Sequence, residues 1–159
     1  VTEVCDKCKI CMALVAQSLA APNSRVWEVW NTEGDQPSVV GVIYVTDIVP
    51  GEDATGHYVF FDNDLRGKTG VLKEVISWLF SDHEEIGWKA LRRLTVEIPE
   101  FAYALARHAH RQLGFGGPFS YSLRPHTKPI GVEGVKRKRV PWRGTRKDLL
   151  ILGLVNEAA

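Results

Sequence analysis

Tyr58-Val59-Phe60-Phe61-Asp62-Asn63-Asp64-Leu65-Arg66-Gly67-Lys68-Thr69-Gly70-Val71 passes from an apolar strand, through a polar turn, into a loop bearing glycine and cationic residues. The period then changes. Val71, Leu72, Val75, Ile76, Leu79 and Phe80 fall on one stripe of a helix. A helix start carries unpaired N–H groups and the positive end of the macrodipole, so it is a seat for a phosphate. Gly67 and Gly70 allow a ligand close to the backbone, and Arg66 and Lys68 add charge.

On the N-terminal side, Val26 to Trp30 reads as a short strand of aromatic and β-branched residues. Asn31 to Pro37 turns the chain. Val39 to Ile48 is a longer strand, apolar on both faces, and is expected to be central and covered on both sides. After the turn at Pro50 to Asp53, Gly56 to Phe61 is a third strand. Residues 26–61 therefore read as an antiparallel meander.

On the C-terminal side, Ser81 to Lys89 is polar and reads as a helix end plus loop. Arg93 to Ile98 is a fourth strand, stopped by Pro99. A second helix follows, with Phe101, Ala102, Leu105, Ala109 and Leu113 facing inward and Gly114 ending it. Phe119 to Leu123 is a short strand, 125–147 a basic loop or hairpin, and Leu149 to Val155 a last strand. The fourth strand returns beside the third after the helix, which sets a crossover unit in an otherwise antiparallel sheet. The expected class is α+β: a mixed, mostly antiparallel sheet flanked by helices.

The chain has 159 residues, the size of a single domain spanning 1–159. Hydrophobic residues make up 45% and charged residues 25%, ordinary for a globular chain. The formal charge is +1, so any case for nucleic acid must come from a local patch. No apolar run is long enough to span a membrane. Residues 1–25 read as a helical segment ended by Pro22 and Asn23. Cys5, Cys8 and Cys11 have part of an iron–sulfur spacing, but no fourth cysteine completes it, and they also fit one helix face without a metal. An odd count of cysteines fits a reducing, cytoplasmic setting better than a disulfide framework.

Gly67-Lys68-Thr69 suggests a nucleotide-binding P-loop, which requires another glycine five residues earlier. Position 62 is Asp, which removes that reading. Coenzyme A is the alternative phosphate ligand. The order of meander, strand, loop, helix, strand, helix and two strands resembles the GNAT acyltransferase superfamily, and within it the ribosomal-protein N-terminal acetyltransferase branch. The residues that carry the resemblance are Val39-Val40-Gly41-Val42-Ile43, Leu65-Arg66-Gly67-Lys68, Arg93-Leu94-Thr95-Val96, Leu113-Gly114-Phe115 and Asp148 before the last strand. It covers about residues 26–155. Thr69 stands where the family usually has glycine, and Val71 where it has glycine or alanine.

The resemblance implies transfer of an acetyl group from acetyl-CoA to a primary amine. It implicates Phe60, Phe61 and Asp62 along the pantetheine arm. Arg66, Gly67, Lys68, Thr69, Gly70 and Val71 would hold the pyrophosphate. Four residues before Gly114, where the family often has a tyrosine acid, stands His110. Glu97 and His57 are the candidates for the base. No metal site is expected.

Lys136-Arg137-Lys138-Arg139, with Trp142, Arg143, Arg146 and Lys147, is the densest charge run. Such a run fits RNA, an acidic substrate or a protein partner, and it also fits a solvated hairpin. Two further readings follow: a GNAT-fold structural or assembly component without activity, as in a phage particle, and a nucleic-acid-associated module using 136–147.

Overall fold

The computed structural model of the chain describes residues 23–32, 35–61 and 66–159. The expected first helix and the three cysteines lie outside them. The elements are β1 (Arg25–Asn31), β2 (Ser38–Val49), β3 (Asp53–Phe60), α1 (Thr69–Leu79), β4 (Arg93–Pro99), α2 (Tyr103–Leu113), β5 (Phe119–Tyr121), β6 (Ile130–Val132), β7 (Gly134–Trp142) and β8 (Thr145–Val155).

Among the described residues, one sheet of six strands runs in the order β1-β2-β3-β4-β8-β7. All its neighbours are antiparallel except β3 and β4, which are parallel and joined through α1. The expected crossover within an antiparallel sheet is therefore present. Period-2 alternation sets the core face: Leu94, Val96 and Ile98 of β4 are buried, while Arg93, Thr95 and Glu97 are half-buried on the other face. Leu72, Val75 and Leu79 of α1 and Leu113 of α2 enclose the same apolar space against Ile43, Val45 and Tyr58, so both helices cover one face. Leu150 and Leu152 of β8 are fully buried, each a burial that stabilises by roughly 1.5–3 kcal/mol. Gly114 ends α2 at φ +84°, the left-handed position that favours glycine.

Several expectations need correction. The third strand begins at Asp53, earlier than expected, because Asp53 to Gly56 already pair with β4. Phe101 does not face inward. It lies in a 3-10 turn before α2 and stacks on Trp142, with ring centroids 3.9 Å apart. The strand after α2 does not join the main sheet; β5 pairs only with β6. Of the loop or hairpin expected for the basic stretch, its C-terminal part takes the hairpin form: β7 and β8 are closed by Arg143 and Gly144, both at positive φ, as a two-residue hairpin turn requires. No helix among the described residues is long and apolar enough to cross a membrane.

Candidate active site

β3 and β4 start as a regular parallel pair and then part. Their pairing runs from Asp53↔Arg93 to Gly56↔Val96, although β3 continues to Phe60 and β4 to Pro99. The gap is a cavity of about 150 Å³. Alternation places His57 and Glu97 on one face of the sheet at its wall, with Tyr58 and Ile98 on the helix face.

His57 is held on two sides. Its ring stacks on Tyr44, its cross-strand partner, at 4.7 Å between centroids and 14° between planes. Its Nε2 lies 3.2 Å from Thr46 Oγ1. Burial lowers the pKa of His57 below the ordinary histidine value, against the opposing charges of Glu97 and Asp47. The ring is therefore kept neutral. Glu97 accepts a hydrogen bond from Lys136 Nζ at 2.6 Å. Across the gap, Tyr58 donates its hydroxyl to Leu105 O at 3.4 Å, and burial raises the phenol pKa far above its usual value.

His110 is not brought to this cavity. It sits near the C-terminal end of α2, where Nδ1–H donates to Phe115 O at 2.7 Å, and it packs against Gly116 and Gly131. The sequence reading missed Tyr58, although it lies in the deciding stretch. The usable signal was its alternation with Gly56 and Phe60, which aims the phenol at the helices rather than at solvent.

The expected phosphate seat lies beyond the end of β3. Residues 66–68 form a 3-10 turn that runs into α1. Among the described residues, the helix has no side-chain cap and no acidic residue in its first turn. Phe60 pairs with Gly41, and its ring occupies the space a Cβ there would need. Lys68 is buried, with Nζ 5.4 Å from the centre of that ring. Gly41, Phe60 and Lys68 thus stack in order, which explains why the strand carries a glycine.

Thr69 and Val71, the departures from the family pattern, both have partners within the protein. Thr69 Oγ1 is 3.0 Å from Nε2 of buried His108, and Val71 packs against the core. A side chain at Gly70 would meet open space. Phe61 is exposed and donates its N–H to Val40 O at 2.8 Å. Asp62 and the side chain of Arg66 lie outside the described residues.

In the basic stretch, Lys136 pairs with Glu97, and Arg137 Nη1 donates to Asp148 at 2.8 Å. Arg143 lies over the Trp142 ring at 5.3 Å.

No protein-family model matches the chain, and no curated protein matches its sequence. Solved structures do match in fold. One, described as a probable acetyltransferase of the GNAT family from Chromobacterium violaceum, has a TM-score of 0.62 at 18% identity, covering 91% of this chain and 66% of that one. The microcin C7 self-immunity acetyltransferase MccE, in complex with acetyl-CoA and AMP, has a TM-score of 0.59 at 15% identity over 92% of this chain and 71% of its own. A chimera of the spermidine N-acetyltransferase SpeG from Vibrio cholerae has a TM-score of 0.58 at 10% identity, over 94% and 77%. The chain therefore has the GNAT fold, and it spans about two thirds of the Chromobacterium chain's length.

Proposed function

We propose that this chain is an acetyl-CoA-dependent N-acetyltransferase acting on a primary amine. The observation that carries the reading is the gap between β3 and β4, with Glu97 and His57 on its wall and the uncapped start of α1 beyond the end of β3. A similar fold is seen with acetyl-CoA in the microcin enzyme, which supports the choice of cofactor.

The residues fit that group. Past Gly56, β3 has no ladder partner on the β4 side, so an extended amide arm would find backbone partners near Phe60, Phe61 and Asp62. The N–H groups of the first turn of α1, from Thr69 to Val71, would take the pyrophosphate, with Gly67 allowing close approach and Lys68 and Arg66 giving charge. Acetyl-CoA supplies the reactive thioester. Glu97 would take the proton from the acceptor ammonium. Neutral His57 beside it adds no positive charge to repel that ammonium. Tyr58, kept protonated by burial, would give its proton to the leaving thiolate. His110 suits this less well, because Tyr58 lines the gap and His110 does not.

The finer reading is a protein N-terminus as acceptor, following the branch the sequence resembles. The strand that brings Lys136 to Glu97 continues into Arg137, Lys138 and Arg139, and this positive charge disfavours a polycation such as spermidine. The test is release of coenzyme A thiol with peptides bearing free N-termini, compared with spermidine. Peptides are expected to react, and Glu97→Gln to slow them by about 10²–10⁴-fold. Absence of thiol release with every one of these amines would refute the assignment.

A further inference from the structure

We infer that Lys136 is an acetylation site of this chain itself, an internal acceptor seated on the carboxylate that an amine substrate would use. The inference rests on the transferase reading above. Lys136 Nζ lies 2.6 Å from Glu97 Oε1, and Glu97 is the one carboxylate among the described residues that line the gap. The lysine side chain is 47% exposed, so it is open to reaction.

The aim of Lys136 is built into the hairpin. β7 pairs with β8 at Lys136↔Leu149 and resumes at Val140↔Lys147. Arg137, Lys138 and Arg139 therefore bulge opposite the single residue Asp148. Lys138 sits at φ +47°, a position few side chains adopt without local support. Asp148 supplies it: its carboxylate accepts the Lys138 N–H at 2.9 Å and Arg137 Nη1 at 2.8 Å. Lys136 itself keeps the regular register of Gly134 and Val135, so strand alternation sets it on the Glu97 face, and the bulge begins just after it. Here Lys136, Leu149 and Pro99 align across three strands, next to Glu97 on β4.

The step balances. Glu97 takes a proton from the Lys136 ammonium. The neutral Nζ attacks the carbonyl carbon of the acetyl thioester. An N–C bond forms, the C–S bond breaks, and the electron pair leaves on sulfur, which is then protonated. The products are acetyl-Lys136 and free thiol, with no redox change. Acetyl-Lys136 is uncharged, so Glu97 loses its resident cation and becomes open to an external ammonium.

The test is to incubate the full chain with acetyl-CoA and no added amine, then map acetylation by mass spectrometry. Lys136 is expected to be modified ahead of Lys73, Lys138 and Lys147, at a rate per molecule unchanged by dilution. Glu97→Gln should abolish that preference, and Lys136→Arg should leave no dominant site. Without any cofactor, Lys136→Gln should let butylammonium shift the NMR signals around Glu97 more strongly than in the original protein. Labelling of Lys136 no faster than of the other lysines, or an equal butylammonium response in the two proteins, would overturn the inference. If an added amine is acetylated while Lys136 stays unmodified, the inference falls and the transferase reading stands. If acetyl-CoA neither binds nor reacts, both fall.

Discussion

Thr69 Oγ1 lies 3.0 Å from Nε2 of His108, so the first residue of α1 is tied to the middle of α2. His108 is buried, and its Nδ1 has no partner among the described residues. The arrangement favours the tautomer in which Nε2–H donates to the hydroxyl and Nδ1 is a bare lone pair, because an unpaired N–H there would be the costlier group to bury. The threonine that departs from the family pattern thus fastens the cofactor loop to its neighbouring helix. Thr69→Val should destabilise the fold by about 1–3 kcal/mol, since the imidazole loses its partner. Thr69→Gly should weaken acetyl-CoA binding rather than tighten it. Chemical denaturation and calorimetric titration measure the two effects.

The same histidine gives a pH dependence. Burial lowers the pKa of both His57 and His108 below the ordinary value of about 6.5. Each is neutral when folded and binds protons more readily when unfolded. Their contribution to stability is therefore fully present above about pH 6.5 and is lost as the pH falls toward the folded-state values. The denaturation midpoint should drop over that interval. His108→Gln, which can still bond Thr69 but does not titrate, should flatten part of the slope.

Gly41 answers to the ring of Phe60, which fills the space of a missing Cβ. Gly41→Ala must displace that ring, and with it the platform beneath Lys68. The expected cost is about 1–3 kcal/mol of stability. Cofactor affinity should fall as well, which separates this site from ordinary core packing. Denaturant midpoints and titration with acetyl-CoA test both parts.

The centre of the fold was legible because its signals are local. The change from period 2 to period 3.6 after Phe61 marked the crossover, and Gly114 marked the end of α2. β7 was not legible. Four consecutive cations at 136–139 hide its alternation, and the bulge that follows Lys136 breaks the period. His57 and Glu97 could be named as candidates, but their meeting at one gap depends on where the β3–β4 ladder stops, which no local pattern records. Lys136 and Glu97 are 39 residues apart in sequence, so the charge run concealed the partner of one of its own members. His108 has Arg107, His110 and Arg111 as sequence neighbours, which masks its burial. Its spacing of three from Leu105 was the signal that placed it between the helices.

The central claim is that the gap and the start of α1 bind acetyl-CoA. Its most direct test is the melting temperature of the protein as acetyl-CoA is added, in the original chain and in Lys68→Ala. A ligand bound by the folded state alone stabilises it by about 2.7 kcal/mol at a hundredfold excess over Kd. The account predicts a rise that grows with concentration and is much reduced in the variant. An unchanged melting temperature at millimolar acetyl-CoA would contradict it.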